Sequence, residues 1–255
     1  MRLFLALIII VLLAPLAATH DPLATDTETQ RQAPSGEHWL GTDGLGRDVW
    51  SRVVTGGGRT FGVAALASSI ALLPGVLGGL LLSAAPRYWG EITDLGLNAI
   101  LAFPNLILAL IILTLVGQGA LPLALAVGLA QIAPTIRVVR GAVVAIRGEG
   151  YLDSARALGA STRRLLLVHV LPNIAPTLLA YAGVVFSYSL LNSAALSFLG
   201  LGGEPGVPDW GVLLAEGRQG FRTAPWIALS AGIAITTSVM IVNRAADQVA
   251  RHPRR

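Results

Sequence analysis

The chain of 255 residues contains no cysteine and no lysine; all 18 of its basic residues are arginine. The missing cysteine excludes disulfides, thiolate metal sites and cysteine nucleophiles. The missing lysine excludes a P-loop and a Schiff-base lysine, so this chain does not bind and hydrolyse ATP by the common P-loop route. Charge is scarce as well: 13% of residues are charged, against about 25% in an ordinary soluble domain. What fills the chain instead is apolar, 54% of residues. Six spans of about 20 residues each would use about 120 positions, close to half the chain. That composition predicts an all-α, polytopic membrane protein and argues against a secreted, fibrous or disordered one. The sequence pI near 10.3 suggests nucleic acid at first sight. In a membrane protein, arginines held on the cytoplasmic side explain it better, and no nucleic-acid partner is expected.

Apolar runs cover 3–19, 60–84, 92–116, 121–139, 171–199 and 225–242. The first is short and could be a signal peptide. A cut after Ala18 would leave bulky Leu16 at the −3 position, so a retained span is expected. Residues 20–58 read as a polar loop, and 200–224 as a Gly- and Pro-rich loop. The organisation expected is a first span with its loop (1–58), then a core of five spans (59–255) carrying a cytoplasmic loop at 141–172. With the N-terminus inside, twelve arginines fall in inner segments and six in outer loops. This bias predicts six spans with both termini in the cytoplasm. The five tryptophans fall near predicted span ends, as an aromatic belt would place them. Between the span ends the only acid is Asp94, and no Glu, Lys or His is available for ion coupling. Uphill transport would therefore draw its energy from another subunit.

The segment from Glu149 to Asn173 reads as helix, break, helix. Leu152, Ala155 and Leu158 recur at helical spacing, with Asp153 near the N-terminal end of the helix dipole. Gly159 suits a helix C-terminus that needs positive φ, and Ser161 can cap a second helix running to Pro172. A short helix lying across the membrane face is the right shape to dock in a groove of a soluble partner. An interfacial amphipathic helix without a partner fits the same pattern.

Asp153-Ser154-Ala155, then Gly159, then His169-Val-Leu-Pro172-Asn173 at a nine-residue gap, resembles the EAA loop of ABC importer inner-membrane permeases. Asp153 stands for Glu and Ser154 for Ala, and Asp keeps the charge. Three further segments are similar to the dipeptide, oligopeptide and nickel permeases of that family. They are Gly41-Thr42-Asp43-Gly-Leu-Gly46-Arg47-Asp48-Val-Trp-Ser51-Arg52, continued by Gly58-Arg59-Thr60; Asp94 with Ala102-Phe103-Pro104; and Ala195 to Gly202 with Pro208-Asp-Trp-Gly211. The resemblance covers residues 41–247, in matching order, and is to the second permease of the pair. Asn192 departs from a common Glu, and His252-Pro253-Arg254 from the usual Asp-Pro-Arg ending.

The resemblance implies the type I ABC importer permease fold in a bacterial inner membrane. It implies a heterodimer with a second homologous permease, two cytoplasmic ATPases that carry ATP and Mg, and an extracytoplasmic solute-binding protein. The chain itself is expected to be non-catalytic, without a cofactor or metal of its own. Asp153, Ser154, Ala155, Leu158 and Gly159 would form the ATPase contact. Thr177, Tyr181, Tyr188 and Asn192 fall within about 60° of one another on a helix. They form a polar stripe that faces either a cavity or a neighbouring helix. Asn98 and Asn105, seven apart beside a kink at Phe103-Pro104, are equally placed. The 41–52 segment is expected to pack on its own chain. His20 and His38 read as solvated loop histidines. A channel or secondary transporter lacks its intramembrane charges here, and a membrane enzyme lacks any catalytic or metal cluster. The solute is a dipeptide or oligopeptide by resemblance, with nickel or another small solute as the alternative.

Overall fold

The computed structural model describes residues 9, 11, 13–202 and 207–250. Of the first run, 3–19, residues 3–8, 10 and 12 lie outside the described residues, and the basic ending wholly so. Helices follow in the order α1 (Val49–Ala84), α2 (Arg87–Leu101), α3 (Asn105–Val116), α4 (Ala120–Ala130), α5 (Ile132–Ile146) and α6 (Gly150–Ala157). Then come α7 (Thr162–Arg164), a π-helical stretch Leu165–Val170, α8 (Leu171–Phe198), α9 (Trp210–Gln219) and α10 (Pro225–Ala250). The described β pairing is a single bridge between Thr42 and Asp48. Four segments are long and apolar enough to cross a membrane: Val49–Ala84, Ala120–Ile146, Thr162–Phe198 and Pro225–Gln248. The pair Tyr88–Leu101 and Asn105–Val116 makes a fifth if its two arms count as one span.

α1 is the spine of the bundle. Its side chains enter all three buried clusters: Phe61 and Ala64 with α8, α9 and α10; Val63 and Ala67 with α3, α4 and α8; Leu80 with α5, α6 and α8. It packs closely on α5 because Gly75 and Gly79 carry no side chain there. A Cβ at Gly79 would sit 2.6 Å from Val139 Cβ, and one at Gly75 2.5 Å from Thr135 Cγ2. This is the packing use of small residues in membrane helices. Leu73, Leu77, Leu95 and Leu115 stay exposed, as lipid-facing side chains do.

Several boundaries differ from the sequence reading, each for a local reason. α1 begins at Val49, not near 60, because the Asp48 carboxylate caps it through the Ser51 N–H. At 1.5 Å per residue its 36 residues span about 54 Å, well beyond a hydrocarbon core of about 30 Å, so its polar first turns fall outside an apolar run. The third run is not one continuous helix. α2 and α3 meet at 85°, with Pro104 as the N-cap of α3, where its missing N–H costs nothing. α5 continues to Ile146, shortening the expected loop. Pro172 does not stop the helix that Ser161 caps. The π-helical stretch just before it bonds Leu171 N–H to the Leu166 carbonyl, a wider register that makes room for the proline ring. The loop expected at 200–224 contains α9, capped by Asp209.

Candidate coupling segment and translocation face

α6 joins α5 to the α7–α8 run at the Ala84 end of α1. Leu152 is its anchor, buried with Val139, Val143, Leu165, Val170 and Ile174. Ala155 packs against the same cluster. Its C-terminus is a Schellman turn: Ala160 N–H donates to the Ala155 carbonyl at 3.0 Å and Gly159 N–H to the Arg156 carbonyl at 2.9 Å. Gly159 holds φ +81°, the left-handed conformation that the closure requires. Ser161 Oγ accepts from the Arg164 N–H, starting α7. Asp153 lies in the first turn and pairs with Arg156 at 2.9 Å. Both side chains are exposed, so this pair contributes about 0.5 kcal/mol at most. Ser154 is exposed and its hydroxyl donates to the Gly150 carbonyl.

The outward edge of α6 therefore carries Tyr151, Asp153, Ser154 and Leu158, with Leu158 89% exposed. Ala155 is half-buried, on the same side of α6 as Leu152. Leu158 does not share that face, because the turn at Gly159 carries it clear. Tyr151 was missed by the sequence reading; an aromatic in the first turn of an otherwise polar helix was the available signal. A cavity of about 250 Å³ lies behind α6, lined by Ser83, Val143, Arg147, Leu152, Thr162 and Leu165 among others. The Arg147 guanidinium bridges it by donating to the Ser83 carbonyl.

The residues expected along a pathway divide. On α8, Thr177 and Tyr188 are exposed, whereas Tyr181 and Asn192 are half-buried. Tyr181 lies beside Thr135 of α5. Asn192 donates to the Tyr188 carbonyl at 2.8 Å, within its own helix. Asn98 accepts from Arg137, one turn from the Asp94–Arg140 ion pair, so α2 is clipped to α5 at two levels. Asn105 opens α3 beyond the 85° break, so it does not continue the Asn98 face as a single helix would. Arg137 and Arg140 of α5 are the partners that hold α2.

At the other end of α1, the 41–52 segment packs against its own chain. Thr42, Asp43, Arg47, Asp48, Ser51 and Arg52 are all buried. Asp43 pairs with Arg47 at 2.7 Å and with Arg52, and both arginines also reach Glu216 of α9. Two acids face two bases, so the group is neutral, with Glu216 34% exposed at its edge. Gly46 holds φ +77°, and a Cβ there would overlap the Asp26 carbonyl. Gly41 holds φ +70°, where a Cβ would meet the Gln32 carbonyl and the Trp226 ring. Trp226 Nε1 donates to the Thr42 carbonyl and Trp210 Nε1 to the Val53 carbonyl. Trp210 is thus a core residue, edge-on to Phe61, and not part of a belt. Glu216 escaped the sequence reading, although a buried arginine pair demands a second acid.

Burial alone would raise the Asp48 carboxyl. The hydrogen bonds from Ser51 and His38, with the nearby His20, outweigh it and hold the group below its ordinary value. The sign follows for a depressed acid: its contribution is present above the unfolded carboxylate pKa of about 3.9 and is lost as pH falls through the lower folded value.

A membrane-spanning helical bundle that presents a short capped helix at one end has the form of a transport subunit. The family described as binding-protein-dependent transport system inner membrane component matches residues 75–255, and the chain belongs to it. The dipeptide transport system permease protein DppC of Alkalihalophilus pseudofirmus is 33% identical over 94% of this chain and 79% of its own. The di/tripeptide transport system permease protein DppC of Pseudomonas aeruginosa is 34% identical over 96% and 83%. The glutathione transport system permease protein GsiD of Escherichia coli is 32% identical over 87% and 73%. Among solved structures, the inward-facing MetNI methionine ABC transporter superposes with TM-score 0.68 at 16% identity, over 78% of this chain and 95% of that one. An amino acid ABC transporter gives 0.63 at 17%, over 78% and 93%. This is the fold of ABC transporter permeases, and the chain is a permease of that class.

Proposed function

We propose that this chain is one of two permease subunits of an ATP-driven importer of dipeptides or oligopeptides in a bacterial inner membrane. It spans the membrane six times with both termini cytoplasmic, pairs with a second homologous permease, and receives peptide from an extracytoplasmic binding protein. The chain is not an enzyme and binds no cofactor of its own. ATP and Mg sit on two cytoplasmic ATPase subunits. The substrate class rests on relatives named for dipeptide, di/tripeptide and glutathione transport.

The observation that carries the mechanism is the construction of α6. Its outward edge, Tyr151, Asp153, Ser154 and Leu158, is open to a partner, while Leu152 locks it to the cluster shared by α1, α5 and α8. A groove that seats the outward edge would move α6 as a rigid piece, because the Schellman turn and the Ser161 cap fix both sides of Gly159. Leu152 passes that motion to α5 and α8. The Asp94–Arg140 and Asn98–Arg137 contacts make α2 follow α5. Thr177 and Tyr188, the exposed members of the α8 stripe, are the groups offered to solute, with Tyr181 and Asn192 behind them.

The test is uptake of a labelled dipeptide into vesicles holding this chain, the paired permease, both ATPases and the binding protein. Uptake is expected to need ATP and the binding protein together. Uptake that persists without ATP would overturn the proposal in favour of a channel.

A further inference from the structure

We propose that His20, Glu37 and His38 form a binding site for a divalent transition-metal cation, at the end of the bundle where α1 begins. One ring nitrogen of each histidine and one carboxylate oxygen of Glu37 lie within 4.8 Å of one another. The two imidazole rings lie 4.7 Å apart, centre to centre. These residues are separated in sequence by 17 positions and are brought together only by the folded loop.

The surrounding hydrogen bonds prepare the rings as ligands. Asp48, itself 2% exposed, places Oδ1 2.9 Å from His38 Nδ1. An ionised carboxylate only accepts, so Nδ1 carries the proton and Nε2 keeps its lone pair. A carboxylate behind a histidine is the arrangement that orients metal-ligating imidazoles and raises their basicity. His20 Nδ1 lies 3.0 Å from Thr19 Oγ1, a second partner on the same ring position. The backbone is held too: His20 N–H donates to Ser51 Oγ, His38 N–H to Ser35 Oγ, and the His38 carbonyl accepts from Ser35 and Gly41.

Two imidazoles and one carboxylate suit Zn²⁺ and its neighbours better than Ca²⁺ or Mg²⁺, which prefer all-oxygen shells. Tetrahedral bonds of about 2.1 Å put donors about 3.4 Å apart. Glu37 is exposed and the His20 side chain is 37% exposed, so both can turn inward by the small amount required. Three protein ligands leave a fourth position open to water or another donor. The cation would tie residue 20 to residues 37 and 38 and, through Asp48, to the first turn of α1.

The experiment is calorimetric titration of ZnCl₂ into the chelator-treated, detergent-purified full chain, with its His20→Ala and Glu37→Gln variants. One Zn²⁺ per wild-type chain is expected, weakened at least tenfold in each variant. Co²⁺ in the same protein should give the visible absorption of a four- or five-coordinate site, lost in both variants. His38→Ala is unsuitable, because it also removes the Asp48 contact beside the α1 cap. Glu37 is exposed, and thermal unfolding of Glu37→Gln without metal should match wild type; His20 Nδ1 also lies 3.9 Å from Asp48 Oδ1, so His20→Ala is read for metal binding alone. No binding, or binding of equal strength in wild type and both variants, overturns the site. A Co²⁺ spectrum of a six-coordinate ion in wild type would do the same.

Discussion

Asp43→Asn will lower the thermal unfolding midpoint of the detergent-purified protein by roughly 10 °C. The carboxylate is fully buried and is shared by Arg47 and Arg52, with Glu216 the other acid of the group. Removing its charge leaves two buried guanidinium groups facing one carboxylate. Breaking a buried pair from one side costs about 3–5 kcal/mol. For a chain of this size each kcal/mol moves the midpoint by about 2–4 °C. Glu28→Gln, at an exposed acid of the same loop, should leave the midpoint unchanged. A shift below about 3 °C, less than the cost of one ordinary lost hydrogen bond with a charged group, would show that the ion group does not hold the loop to α9.

Gly159→Leu will leave the protein folded and inserted but abolish ATP-driven uptake. The conformational cost of a β-carbon at φ +81° is about 1–2 kcal/mol. Apart from its own chain neighbours, no atom lies within 4 Å of the position a Cβ would take, so the side chain clashes with no other element of this chain. Leu152 still anchors α6 in its cluster. The damage falls on the outward side, where the bulk would lift the helix from a partner groove and reopen its Schellman turn. Gly159→Asn provides the control, since asparagine accepts the left-handed conformation more readily and adds less bulk. It should keep part of the uptake. The measurement pairs co-purification of the ATPases with peptide uptake in reconstituted vesicles. Full uptake by the Leu variant would remove α6 as the coupling element.

The readings that survived into three dimensions are those governed by local chemistry. Gly159 takes positive φ and Ser161 caps the next helix because both depend on a few neighbouring backbone groups. The readings that changed depended on distant partners. Ala155 packs half-buried beside the Leu152 cluster, a neighbourhood that its place in the resemblance does not give. Asn98 and Asn105 were put on one face by helical arithmetic that fails across an 85° break. Glu216 was invisible because it lies 164 residues from Arg52, and nothing local marks it.

Composition and the spacing of apolar runs determined that this chain is a helical membrane protein. Its missing lysine excluded a P-loop in this chain. Both follow from solvation: apolar runs of that length have to leave water, and a phosphate-binding loop cannot work without its cation. Only the tertiary structure decided which polar groups are spent on holding helices together. It closed Asp43, Arg47, Arg52 and Glu216 into a neutral group, clipped α2 to α5 through Asp94 and Asn98, and gathered His20, Glu37 and His38 at one point. Buried charge requires a partner wherever the chain can supply one, and where that partner lies is a property of packing that linear spacing does not carry.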